Sequence, residues 1–276
     1  MEISEKKIND ININILKNKN EKQKKYKGND IFSINPYICF IASKKKSGKT
    51  QLIFNIIENT CDENTIIYIF CATHNIDSTW KNIIKYLDNN GNDVNVYDSI
   101  YEGKVNHLDN VINELTNETN VEKKVIEKKE ENRVLIEFGK PPPVEKPVEK
   151  PKKKKLETSK YLFIFDDVSN QLKSPAIARF LKIHRHYNAS VIISSQYIKD
   201  LNPASITQID YFICFKNFSI ERLQHIHKLV DLSIDFDDFL KLYYYATKIP
   251  YEFMFINVRD ETIRRCFHSL LSLNGS

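Results

Sequence analysis

From residue 36 onward the chain alternates short, continuously apolar runs with longer stretches whose apolar positions recur every three or four residues. The runs are Tyr37–Ala42, Thr65–Ala72, Val94–Tyr97, Tyr161–Phe165, Ser190–Ser194, Tyr211–Phe215 and Glu252–Val258. Several are apolar at every position, as strands buried on both faces of a parallel sheet are. Between them, Thr50–Asn59, Ser78–Leu87, Ala176–His186, Ile220–Leu229 and Phe236–Tyr245 carry helical periodicity. Strand and helix in this alternation predict a three-layer α/β domain.

Two stretches break the rhythm. Residues 104–138 read as charged and helical, and residues 139–159 run GKPPPVEKPVEKPKKKKLETS, with five of the chain's nine prolines. Proline at that density removes backbone donors and predicts an extended, solvated linker. The first thirty residues are rich in Lys, Asn and Glu, and Ile3, Ile8, Ile11, Ile13 and Ile15 suit a short helix or a strand equally. The expected organisation is a polar segment over 1–30, a first part of the core over 31–103, a charged insertion over 104–159 and a second part of the core over 160–276.

Composition sharpens this in two respects. The net charge of +5 is concentrated in residues 1–27 and 139–160; without them the rest of the chain is net acidic. A nucleic-acid contact would therefore be a local loop or a mobile arm such as Lys152–Lys155. The five cysteines, Cys39, Cys61, Cys71, Cys214 and Cys266, show no CxxC spacing. That argues against a zinc ribbon or disulfide framework and for a reducing compartment. No signal-peptide pattern and no membrane-length apolar run is present, so a soluble, intracellular protein without a transmembrane segment is expected.

The candidate chemistry lies at the ends of the predicted strands. Residues 43–50 read SKKKSGKT, between the strand PYICFIA and the helix QLIFNIIE. Strand–loop–helix ending in Gly48-Lys49-Thr50 is the context of a phosphate-binding P-loop, in which backbone N–H groups and the helix dipole surround phosphate. Ser43, Lys44, Lys45, Lys46, Ser47, Gly48, Lys49 and Thr50 are thus the nucleotide-binding candidates. Lys49 would reach the phosphates, and Thr50 would ligate Mg²⁺. Ser43 stands where the motif has glycine.

Residues 161–168, YLFIFDDV, form an apolar strand ending in two carboxylates. This is the Walker B pattern: Asp166 would hold Mg²⁺ and Asp167 would orient or deprotonate the attacking water. One strand further, SVIISSQ ends in Gln196, where a polar side chain meets ligands bound at carboxyl strand ends. The architecture implied is a three-layer P-loop NTPase with a mainly parallel central sheet, interrupted by the charged helical and Pro/Lys-rich insertion.

The order SGKT, FIFDDV and RHYNASVIISSQ (Arg185–Gln196) resembles the poxvirus-type genome-packaging ATPases of large DNA viruses, within the FtsK–HerA group of ring-forming DNA translocases. The resemblance covers roughly residues 36–100 and 160–257. It implies that Lys49 and Thr50 form the Walker A pair, Asp166 and Asp167 the Walker B pair, and Gln196 the polar sensor. Arg185 and His186 match an Arg-His pair preceding the sensor strand. It further implies ATP and Mg²⁺ as cofactors, double-stranded DNA as partner and a homo-oligomeric ring. Capsid or membrane-associated packaging proteins would be further partners, at host-cytoplasmic assembly sites and in the virion. The chain departs from the pattern at Ser43, at the lysines following it, and at Asp167, where many relatives carry glutamate.

Other residues have plainer readings. His184 and His186 stand at i, i+2 and suit a solvated helix end; Thr73 and His74 suit a plain loop. Tyr243, Tyr244 and Tyr245 suit a helix packed on the sheet. An activating cation is required, and Arg185 from a neighbouring subunit, Arg222, or one of Lys44–Lys46 in cis are the candidates. Two further functions fit the same motifs: a nucleotide or small-molecule kinase, and a non-hydrolysing nucleotide-binding module.

Overall fold

The computed structural model describes residues 26–120 and 157–272. Expectations for residues 1–25 and 121–156, including Lys152–Lys155, lie outside the described residues. The first segment runs through β1 (Ile38–Ala42), α1 (Lys49–Thr60), β2 (Ile66–Cys71), α2 (Ser78–Asn89) and β3 (Val94–Tyr97). A small hairpin of β4 (Tyr101–Glu102) and β5 (Val105–Asn106) follows, and then α3, helical from residue 107 to 120. The second segment opens with β6 (Tyr161–Asp166), α4 (Pro175–Ile183), β7 (Ala189–Ser195) and the short α5 (Pro203–Ile206). It continues through β8 (Tyr211–Phe215), α6 (Ile220–Val230), α7 (Phe236–Ala246) and β9 (Phe253–Asn257). β10 (Thr262–Arg265) and β11 (Ser269–Leu271) close the chain.

Nine strands form one sheet in the order β11-β10-β9-β8-β1-β7-β6-β2-β3. The six from β8 to β3 are parallel, and β9, β10 and β11 add antiparallel pairs at one edge. Alternation along each strand separates two cores. On one face Tyr161, Phe163, Phe165, Phe40 and Ile193 meet α3, α4, α6 and α7; on the other, Leu162, Ile164, Ile41 and Ile192 meet α1 and α2. This is the three-layer arrangement the apolar runs predict. Among the described residues no helix is long and apolar enough to cross a membrane.

Several details differ from the sequence expectation. α3 is not set apart from the domain: Leu108, Val111, Ile112 and Leu115, at i, i+3, i+4, i+7, are buried in the same core as the sheet. The helix expected to reach His186 ends at Ile183; a 3-10 turn over His184–Tyr187 follows and stops at Asn188 in the left-handed region, φ 53°. His184 is buried rather than solvated, its Nδ1 2.6 Å from the Ala189 carbonyl oxygen. Tyr243 is buried, its hydroxyl donating to the Phe215 carbonyl over 2.8 Å, whereas Tyr244 and Tyr245 are exposed. All five cysteines are free, and Cys39, Cys71 and Cys214 fill the strand interior as small apolar groups.

Register decides where chemistry can gather. Ala42 pairs with Ser195, Ser194 with Asp166, and Asp166 with Cys71, so β1, β7, β6 and β2 end level with one another. The connection after β1 leads across β7 and β6 to β2, whereas that after the adjacent β8 leads the other way, to β9. Open α/β sheets bind ligands beyond the carboxyl ends of strands at such a switch point.

Candidate functional site

The loop after β1 is tied to its neighbour at once. Ser43 is buried, and its N–H donates to the Ser195 carbonyl over 3.2 Å. Ser43 has a negative φ; the left-handed positions of this loop are Lys46, φ 63°, and Gly48, φ 92°. A serine in place of the first glycine therefore meets no backbone penalty here, and the strained residue is Lys46. At Gly48 a Cβ would come 3.1 Å from the Tyr251 ring, so both the close approach and the φ require glycine. α2, α4 and α7 are capped by Asp77, Ser174 and Asp235, but α1 starts from Gly48 with no side-chain cap. Its first N–H groups and the positive end of its dipole are left to a ligand.

Lys49 points from the first turn of α1 to both carboxylates. Its Nζ lies 2.6 Å from Asp166 Oδ1 and 2.7 Å from Asp167 Oδ1. Burial alone would lower the Lys49 pKa, but the two carboxylates outweigh it and hold the ammonium above its ordinary range. Asp166 is 1% exposed and accepts a second hydrogen bond, from Trp80 Nε1 at 2.9 Å. Asp167 takes the left-handed conformation, φ 56°, which turns its carboxylate back over the strand end. Its Oδ2 accepts from Thr73 Oγ1 at 3.4 Å. Thr73 thus stands at the site, not in a plain loop.

Three hydroxyls around this cluster, Ser43 Oγ, Ser47 Oγ and Ser194 Oγ, are buried without a hydrogen-bond partner. An unsatisfied buried hydroxyl costs about 1–3 kcal/mol, so their concentration at one place marks a site built for an added polar group. Thr50 follows Lys49 in the first turn of α1 and is half-buried. Hard oxygen donors from Asp166, Thr50 and these serines suit Mg²⁺, which keeps water and phosphate in its shell.

Gln196 follows the last residue of β7 and is half-buried; its carbonyl accepts from the Arg222 guanidinium. Lys44, Lys45 and Lys46 are exposed. Arg185 does not join the cluster in its own chain. Its guanidinium pairs with Asp210 at 2.7 Å, and Asp210 accepts from the Ile38 N–H at 2.8 Å, at the amino end of β1. Five residues of strand separate that end from the loop, roughly 16 Å at about 3.3 Å per residue. Trp80 and Tyr251 are the site neighbours that pattern reading passes over, while Thr73 reads there as plain loop and Arg222 only as a candidate activating cation. Trp80 is the single tryptophan and heads an apolar stripe with Ile83 and Leu87, which signals burial but not its acceptor.

Several solved structures are similar to this chain. The genome packaging NTPase B204 from Sulfolobus turreted icosahedral virus 2 in complex with AMP is 18% identical, with a TM-score of 0.50 over 83% of this chain and 96% of that chain. The same NTPase with ATP-gammaS is 20% identical, with a TM-score of 0.48 over 84% and 97%. The pCW3 conjugation coupling protein TcpA with ATPgS is 10% identical, with a TM-score of 0.43 over 80% and 57%. No curated protein matches the chain. The sequence model of the poxvirus A32 protein matches residues 23–245, bearing out the resemblance seen in SGKT, FIFDDV and RHYNASVIISSQ. The chain belongs to the poxvirus A32 protein family.

Proposed function

We infer that this chain is an ATP-hydrolysing motor that assembles as a ring and moves double-stranded viral DNA into the capsid. The observation that carries the reading is Lys49 held between Asp166 and Asp167 at level strand ends, beside an uncapped helix N-terminus. Family membership and the P-loop fold support the same direction.

On this reading, Lys49 leaves the carboxylates for the phosphates of ATP, which join the N–H groups of residues 47–50. Freed from Lys49, Asp167 accepts a hydrogen bond from the attacking water and takes its proton, with Gln196 fixing the water from the neighbouring strand end. Asp166 and Thr50 would hold Mg²⁺, which when bound supplies neutralisation of phosphate charge. The cation for the transferred phosphoryl group comes from the loop lysines or from a neighbouring subunit, to which Arg185 is presented on its exposed edge. The partners on this reading are duplex DNA, further copies of the chain, and capsid or membrane-associated packaging proteins, in host cytoplasm and virion.

A paired water-orienting carboxylate is what a non-hydrolysing module would lack, and no described feature favours the kinase reading. Steady-state phosphate release with and without duplex DNA tests the proposal. The wild-type chain is expected to turn over ATP with DNA stimulation, and Lys49→Ala and Asp167→Ala to abolish it. Full turnover in both variants would remove Lys49 and Asp167 from the mechanism.

A further inference from the structure

Beyond the phosphate loop, the turn after β7 and the first turn of α6 enclose a cleft of about 470 Å³. Lys44, Lys199, Arg222 and His225 bring cationic or basic groups to it, Tyr197 brings an exposed ring, and Glu221 is the one acid among its lining residues. The N-terminus of α6 also lies in the cleft wall at Ser219, but Glu221 in its first turn bonds its own N–H and Ser219 and offsets the helix dipole, so the positive field comes from the side chains. This concentration is unexpected in a core that is net acidic outside its two basic stretches.

Arg222 is preorganised there. Its guanidinium stacks 3.9 Å from the Tyr197 ring centroid and 4.8 Å from that of Phe218, and it donates to the Gln196 carbonyl. One donor of its fork is used on that carbonyl, and others remain for an anion. The adjoining turn is bonded to the Walker B segment as well. Ser195 Oγ lies 3.0 Å from Ser169 Oγ, two residues past Asp167, and donates to Asp200. Anything that moves Lys199 or Arg222 therefore pulls on the strand end carrying Gln196 and on the turn carrying Asp167.

We propose that this cleft binds the phosphate backbone of duplex DNA and that Arg222 transmits its occupancy to Gln196. The proposal rests on the motor reading above and says where that motor holds its track. Cations on several walls with a stacked arginine suit a polyanion better than a neutral or apolar ligand. The contact would be independent of DNA sequence, since it reaches phosphates and not base edges.

The test uses the full chain, a short fluorescein-labelled duplex read by anisotropy over a salt series, and phosphate release with and without DNA. Lys199→Ala is expected to weaken duplex binding several-fold and to lower the slope of log affinity against log salt by about 0.9, one phosphate contact. Arg222→Lys keeps the charge but loses the fork and the stack, so it should retain most of the binding and lose the DNA stimulation of turnover. Unchanged salt slope and stimulation in Lys199→Ala, with a wild-type chain that is stimulated, would overturn the cleft and leave the motor standing. A wild-type chain that neither binds duplex nor responds to it would overturn both. A raised KM for ATP with unaltered salt slope in Lys199→Ala would assign the cleft to nucleotide phosphate. Loss of self-association in sedimentation with DNA affinity intact would assign it to a neighbouring copy. Either result refutes DNA binding there.

Discussion

The indole N–H of Trp80 donates to Asp166 Oδ2 over 2.9 Å, while Lys49 holds the other oxygen of the same carboxylate at 2.6 Å. A fully buried side chain of α2 thus holds the second oxygen of the Walker B aspartate and limits its rotamer. Trp80→Phe keeps an aromatic ring, leaves a small cavity, and removes one hydrogen bond to a charged group. It should cost about 1.5–3 kcal/mol in denaturant unfolding and lower turnover without abolishing nucleotide binding. Unfolding midpoints together with kcat and KM distinguish this from simple loss of packing, which would leave kcat unmoved.

Lys49 bridges two acids within the chain itself, so its removal should matter to stability as well as to turnover. Lys49→Met leaves Asp166 buried without its cation and should destabilise the chain by about 2 kcal/mol, below the usual cost for a fully buried pair because water reaches Lys49. Adding Asp166→Asn should recover part of that loss, which a double-mutant cycle by chemical denaturation measures. The Lys49 pKa is raised above its ordinary 10.5, so the pair's stabilisation is present below that pH and lost only as pH rises through the folded value.

The strain in the phosphate loop sits at Lys46, not at Ser43. Lys46→Gly relieves a left-handed φ of 63° and should raise stability by up to about 1 kcal/mol, the conformational relief being partly offset by glycine's unfolded-state entropy. Thermal unfolding gives the sign. If turnover falls while stability rises, the Lys46 side chain acts on the transferred phosphate; equal turnover makes it dispensable. Gly48→Ala should behave oppositely, losing both stability and nucleotide affinity because φ 92° and the Tyr251 ring both oppose a Cβ.

Burial pushes the His184 pKa down to about 4, and its neighbours Arg185 and His186 add to that, against the Ala189 carbonyl. The unfolded chain takes up this proton near 6.5, so stability is full above that pH and falls as pH drops toward 4. The loss amounts to about 3 kcal/mol. His184→Asn retains a donor for the Ala189 carbonyl and should flatten this acid limb in melting temperatures followed from pH 7 to pH 4.5.

The central strands were readable because burial on both faces demands an unbroken apolar run, and β8, for example, has the expected bounds. β10 and β11 escaped notice because they are short and carry Arg264 and Arg265 among apolar residues, a pattern that also suits loops. α3 shows the opposite case: the spacing of Leu108, Val111, Ile112 and Leu115 gives an apolar face, but a helix's own sequence does not say which core receives that face.

Local order along the chain suffices for a phosphate loop and an acidic strand end, since a loop–helix junction and a buried strand each write their constraints into adjacent residues. It also suffices to place Ser43, Gly48, Lys49, Thr50, Asp166, Asp167 and Gln196 at strand ends. Register and strand order lie beyond it, because they are set by pairings between residues far apart in the chain. Those pairings put β7 between β1 and β6, close Lys49 onto both aspartates, bring Trp80 to Asp166, and carry Arg185 to the amino end of β1, away from the phosphate loop.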